Sequence, residues 1–174
     1  VISDEHFNFF LRSGYIGGLE PGTSMHKLLQ LYGPDSWYVR HVENNGLVYG
    51  IIKMGITEFH IYNEKITGIC YRSDLPHFQD EYEGITPPWI IRQRNLPGIE
   101  QKLTDLGIGF TKRVVQGPLK TFRTAGTLLF GLDDMEHVFI DTEGGVTFSF
   151  YRKGKRLLND HTRKDYDIRE PEKG

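Results

Sequence analysis

Glu58 and His60 stand two residues apart in the run Thr57-Glu-Phe-His-Ile-Tyr62. Alternation of this kind predicts a β-strand, and residues two apart on a strand share one face. A carboxylate beside an imidazole can move protons, the carboxylate orienting the ring and the ring acting as acid or base. The single thiol, Cys70, falls in a second such run, Ile66 to Arg72, between Ile69 and Tyr71. No cation or helix start lies beside it in sequence to lower its pKa, so it reads as a small buried hydrophobe. An enzyme of unrecognised type using Glu58, His60 or Cys70 stands as the alternative reading of the chain.

Other chemistry finds little footing. The seven histidines form no HExxH pair, and one cysteine can make neither a thiolate metal site nor an internal disulfide. There is no GxGxxG, no GxxxxGK[ST] and no GxSxG elbow. The sequence therefore predicts no cofactor and no metal.

A second set of residues suits recognition instead. Asp80, Glu81 and Glu83 flank Tyr82, with Trp89 close by, and Asp133, Asp134 and Glu136 form another acidic cluster. Aromatic anchors set among charges are a recurrent design of protein-binding surfaces, and an acidic surface speeds capture of a basic partner. These eight residues are the predicted protein-binding site.

The elements that must position them are well punctuated. A helix is predicted over Asp4–Arg12, capped by Ser3, closed by Gly14 and striped by Phe7, Phe10 and Leu11. A second follows Thr23 or Ser24, with Met25, Leu28, Leu29 and Tyr32 on one side and Gly33-Pro34 as its stop. Four strands follow at Trp37–Val42, Leu47–Lys53, Thr57–Tyr62 and Ile66–Arg72, with turn residues Asn44-Asn45-Gly46 and Asn63-Glu64-Lys65 between them. After a polar, Pro-containing stretch, a strand is predicted at Trp89–Arg94. A helix striped by Ile99, Leu103 and Leu106 and ended by Gly107 comes next. Strands are predicted at Gly109–Val115, Leu119–Arg123, Thr127–Leu132, His137–Asp141 and Val146–Arg152.

The order helix-then-meander occurs twice. Ile66-Thr67 and Tyr71-Arg72 match Val146-Thr147 and Tyr151-Arg152 at an offset of 80, and Glu58–Tyr62 sits at the place of Glu136–Ile140. The predicted fold is α+β: two similar helix-plus-antiparallel-meander units, packed together or sharing a sheet. The expected divisions are residues 1–84, residues 85–152 and a charged, flexible C-terminal segment, 153–174.

Composition sets the class. At 174 residues, 38% hydrophobic and 25% charged, the chain is long enough for a core of its own. The net charge of −2 argues against a dedicated nucleic-acid binder. It divides unevenly, −5 over residues 1–90 and +3 over 91–174. No apolar run approaches a membrane span, no signal peptide is evident, and a lone cysteine fits a reducing compartment, so the expected location is the cytoplasm.

The run Leu19–Asp35, followed by Tyr49-Gly50 and Glu58–Gly68, resembles small bacterial proteins encoded beside polymorphic toxins, many of them immunity proteins. The resemblance implies a protein that binds a bacterial toxin domain and neutralises it by blocking its active site. A non-catalytic adaptor domain is the remaining alternative.

Overall fold

The computed structural model describes residues 4–17, 19–20, 22–32, 37–42, 48–54, 56–73, 89–116 and 136–166. Four helices and eight strands occur among them: α1 (Asp4–Ser13), α2 (Met25–Tyr32), β1 (Trp37–Val42), β2 (Val48–Met54), β3 (Thr57–Tyr62), β4 (Lys65–Arg72), α3 (Trp89–Arg92), α4 (Leu96–Asp105), β5 (Phe110–Gln116), β6 (Glu136–Thr142), β7 (Thr147–Lys153) and β8 (Arg156–Asp165). The α+β class holds. The strands form one antiparallel sheet in the order β1-β2-β3-β4-β8-β7-β6-β5.

The helices form where capping and periodicity agree. In α1 the acidic Asp4 and Glu5 occupy the first turn and Arg12 the last, each favourable to the helix dipole. Phe7, Phe10 and Leu11 are fully buried. The helix stops at Gly14, whose φ of +78° suits glycine and whose N–H reaches Phe10 O at 2.7 Å. Ser24 caps α2, its Oγ accepting from Lys27 N at 3.2 Å. Asn95 caps α4 by accepting from Gly98 N at 2.9 Å, and Gly107, at φ +65°, follows its end.

The core lies between the helices and one face of the sheet. The Phe7 ring meets Tyr71 of β4 edge-on at 4.7 Å, Trp89 at 5.3 Å and Phe148 of β7 at 6.4 Å. Cross-strand partners share a face, so the register extends this helix-covered side through Ile52, Phe59, Ile69, Tyr71, Thr162, Phe148 and Ile140. Burial of one such aromatic or branched side chain contributes about 2 kcal/mol, so this layer supplies most of the drive to fold.

Three expectations change. Trp89 begins a short helix, and its indole is buried with Nε1 donating to Asn8 Oδ1 at 2.9 Å. Four apolar-rich residues fit strand or helix equally well, and here the carboxylate of Asp4 accepts from Trp89 N at 2.6 Å and starts the helix. The predicted boundary at 84/85 does not separate two packing units. The carbonyl of Leu11 in α1 accepts from Thr142 Oγ1 at 2.6 Å and Gly144 N at 3.2 Å, both beyond that boundary. Within the supposed flexible segment 153–174, Arg156–Asp165 is β8, in the middle of the sheet between β4 and β7. The matches at an offset of 80 join β4 to β7, which occupy different places in the strand order.

The register shift where β7 meets β8 explains how so polar a strand can lie inside. Asn159, fully buried, donates from Nδ2 to Ser149 O and His161 O, both at 2.9 Å. Its Oδ1 accepts from Ser73 Oγ at 2.6 Å, and its own carbonyl accepts from Arg94. Buried polar groups satisfied in this way take the place of the apolar residues that a central strand usually carries. The predicted strands at Leu119–Arg123 and Thr127–Leu132 lie outside the described residues.

Candidate functional site

The other face of the sheet carries the chemistry. Among the described residues the helices pack on the face just traced, and the opposite face presents Lys53, Glu58, Cys70, Arg163, Thr147, Asp141 and Thr111 as one cross-strand row from β2 to β5. A neighbouring row runs through Arg72, His161, Ser149, Phe139 and Arg113.

At the centre of this face is Glu58, only 5% exposed. Its Oε1 lies 3.1 Å from Lys53 Nζ and 3.9 Å from Arg72 Nη1. Its Oε2 lies 3.7 Å from His60 Nε2. The last separation is longer than a hydrogen bond, and Nε2 is buried with no hydrogen-bond partner. On the far side of the ring Nδ1 lies 3.0 Å from Tyr49 Oη. The neutral tautomer that suits both neighbours carries its proton on Nε2, towards Glu58, while Nδ1 accepts from the Tyr49 hydroxyl. Burial alone would raise the carboxyl pKa. The imidazole of His60, the ammonium of Lys53 and the guanidinium of Arg72 outweigh burial and hold it at about 2, below the ordinary 4.5.

Cys70 is the cross-strand partner of Glu58. Burial and the neighbouring Glu58 charge push its thiol up to about 12, against the pull of Arg163 and Arg72. A thiol so held is protonated near neutrality and is a poor nucleophile.

Towards β5 the face opens. Arg113, half exposed, donates from Nε and Nη2 to the two oxygens of Asp141. Its guanidinium lies 4.9 Å from the centre of the Phe139 ring. Thr147 Oγ1 donates to Asp141 Oδ1 at 2.7 Å. Fork pairing and stacking together fix the arginine more firmly than either would alone. Arg163 pairs with Asp165 at 2.7 Å, and His161 Nδ1 lies 2.9 Å from Asp160 Oδ1.

No protein-family model, curated protein or solved structure matches the chain.

The residues singled out from sequence fare differently. Glu58 and His60 do share a face and do meet, and Cys70 lies beside them. Asp80, Glu81, Tyr82, Glu83, Asp133 and Asp134 lie outside the described residues. Glu136 opens β6, paired with Gln116 at the sheet's β5 edge. Trp89, expected as an aromatic anchor, is instead a core residue. The residues missed were Lys53, Arg72, Arg113, Asp141 and Arg163. Lys53 was within reach, because a lysine and a glutamate placed symmetrically about the β2–β3 turn must face each other. The Arg113–Asp141 pair spans 28 positions and depends on a pairing that no local pattern announces.

Proposed function

We propose that the protein is a binding module of the immunity type, which neutralises a bacterial toxin domain by covering its active site, and that the sheet face opposite the helices is its docking surface. The observation that carries this reading is the face itself: an array of charged and polar side chains on one sheet, with Lys53–Glu58, Arg113–Asp141 and Arg163–Asp165 already paired. Seven inter-strand spacings of about 4.8 Å give a width of roughly 34 Å, and six residues at about 3.3 Å give a length of roughly 20 Å. Glu58, His60, Cys70, Phe139 and Ser149 at the centre of the face are buried, so what a partner would touch lies towards the β5 edge and the β7–β8 hairpin, at Arg113, Lys153 and Arg156. Side chains immobilised beforehand lose little entropy on association.

The same reading takes the two helix-plus-meander units as copies of one ancestral unit. Support comes from the strand order, in which β1–β4 and β5–β8 run inward from opposite edges to the central pair β4–β8, each set preceded by a helix. The strand order would pair β4 with β8, whereas the sequence matches of units 1–84 and 85–152 pair it with β7, so the order supports two facing meanders and not that alignment.

The Tyr49–His60–Glu58 chain favours one second reading, a proton-transfer site. Against it stands the enclosure of the reacting atom, His60 Nε2, on a residue 7% exposed.

The test is to co-express the chain with the product of any toxin-bearing reading frame beside its gene and map the complex by hydrogen exchange. A stoichiometric complex with protection confined to β6, β7, β8 and β4 is the expected result. Protection confined to α1, α2 and α4 would overturn the assignment of the surface.

A further inference from the structure

We infer that the partner docking on this sheet face is a protein surface rich in carboxylates, an inference that rests on the docking role proposed above. The helices carry the two signs in balance, Asp4, Glu5, Glu100 and Asp105 against Arg12, Lys27, Arg92 and Lys102. On the open sheet face the bases predominate: Lys53, Arg72, Arg113, Lys153, Arg156 and Arg163 project there by register. Three carboxylates, Glu58, Asp141 and Asp165, share that face, and counting Asp160 at the irregularity in β8 still leaves an excess of bases. Each of the three is already bound to a base of the same face.

The bases are therefore what the face still offers. Lys153 and Arg156, opposite each other at the end of the β7–β8 hairpin, are exposed and form no ion pair with a described residue. Arg113 keeps Nη1 clear of any described hydrogen bond while Asp141 holds Nε and Nη2. A pre-set arginine of this kind, seated on an aromatic ring, is the side chain that most often anchors a partner's carboxylate.

Interleaving decides between an acidic protein and a nucleic acid. Glu58 sits between Lys53 and Arg163 in one row, Asp141 lies beside Arg113, and Asp165 follows Arg163 two residues on, so a continuous phosphate chain laid across this face would meet carboxylates as well as bases. A partner with a mixed pattern can place carboxylates on the bases and donors elsewhere. The chain's net charge of −2 also opposes a polyanion as uniform as RNA.

The test uses isotope-labelled full chain titrated with a short poly-glutamate peptide, a poly-lysine peptide of equal length and a single-stranded RNA of matched charge, with amide shifts read residue by residue. Poly-glutamate is expected to perturb Arg113, Lys153, Arg156 and their neighbours. The double variant Lys153→Glu/Arg156→Glu should weaken it by about tenfold at low salt. The folded spectrum of that variant is its own control, since both residues are exposed. Poly-lysine perturbing the open face in place of poly-glutamate would overturn the inferred polarity and leave the docking role standing. Tighter binding of the RNA there would overturn the protein assignment. If no probe moves the open face, the inferred carboxylate preference falls, and the docking role is decided separately by the co-expression and hydrogen-exchange test.

Discussion

Replacing Glu58 with glutamine tests the electrostatics of the sheet face directly. The side chain keeps its size and loses only its charge. A carboxyl held at about 2 in the folded chain, against 4.5 ordinarily, favours the folded state by about 3 kcal/mol once it is ionised in both states. The sign follows from the direction of the shift. Because the folded value is depressed, the stabilisation is complete above the ordinary value and is lost as pH falls from there towards the folded one. About 2 kcal/mol of it should be gone by pH 3. Glu58→Gln resembles the protonated state at every pH. The gap in stability between the two proteins should therefore be about 3 kcal/mol at pH 6 and about 1 kcal/mol at pH 3. Urea unfolding of both at the two pH values reads it, and other carboxyls cancel in the difference. A gap that stays constant with pH would show that Lys53, Arg72 and His60 do not hold the carboxylate, and the account of this face would fail.

Three further outcomes follow from the packing. A Cβ at Gly144 would lie 2.7 Å from both Gly14 N and Leu11 O. Gly144→Ala should therefore cost about 2 kcal/mol in thermal or urea unfolding by parting α1 from the β6–β7 turn. Asn159→Ala leaves two strand carbonyls, Ser149 O and His161 O, short of a donor, while the Ser73 hydroxyl keeps only the backbone carbonyl of residue 159. It should cost at least about 2 kcal/mol and speed amide exchange in β7 and β8 before other strands. Cys70 should resist a thiol reagent at pH 8 in the folded chain and react at once in urea; rapid labelling of the folded protein would contradict the burial and protonated state assigned to it.

How much was legible depends on how far apart the partners lie in sequence. α1, α2, α4 and the strands β1 to β4 carry their own punctuation, such as Asn95 before α4 and the Asn63-Glu64 turn at positive φ, and they are where the residues predict them. Strand β8 was misread for a physical reason. Arg-Leu-Leu-Asn-Asp-His-Thr-Arg-Lys-Asp looks like a solvated tail because a central strand normally shows its burial as hydrophobicity. Here the buried positions are polar and satisfied: Asn159 accepts from the Ser73 and Thr162 hydroxyls and donates to the carbonyls of Ser149 and His161.

The same distance hid the face as a whole. Glu58 and His60 announced themselves because they share a strand, and alone they suggested acid–base chemistry. Their meaning changes once Arg163 is brought beside Cys70 by the β4–β8 pairing, a contact between positions 93 apart. That pairing turns an isolated proton-transfer pair into one station of a charged row spanning β2 to β5. A row can be engaged by a broad partner even where its central groups are too enclosed to touch a small substrate. The closing of the sheet at β4–β8 is thus the step on which the functional reading turns. On the proposed reading, a change that opens this pair while sparing the helix-covered core should abolish partner capture before it abolishes folding. Gly68 offers such a change, since a Cβ there would lie 2.8 Å from Asp165 Oδ1 and 3.3 Å from Lys164 O. Gly68→Val should therefore disturb the end of the β4–β8 ladder, and amide exchange compared with partner capture would show the two properties separating. If both were lost together, the proposed docking role would have no support apart from the fold itself, and the assignment of this face would fail.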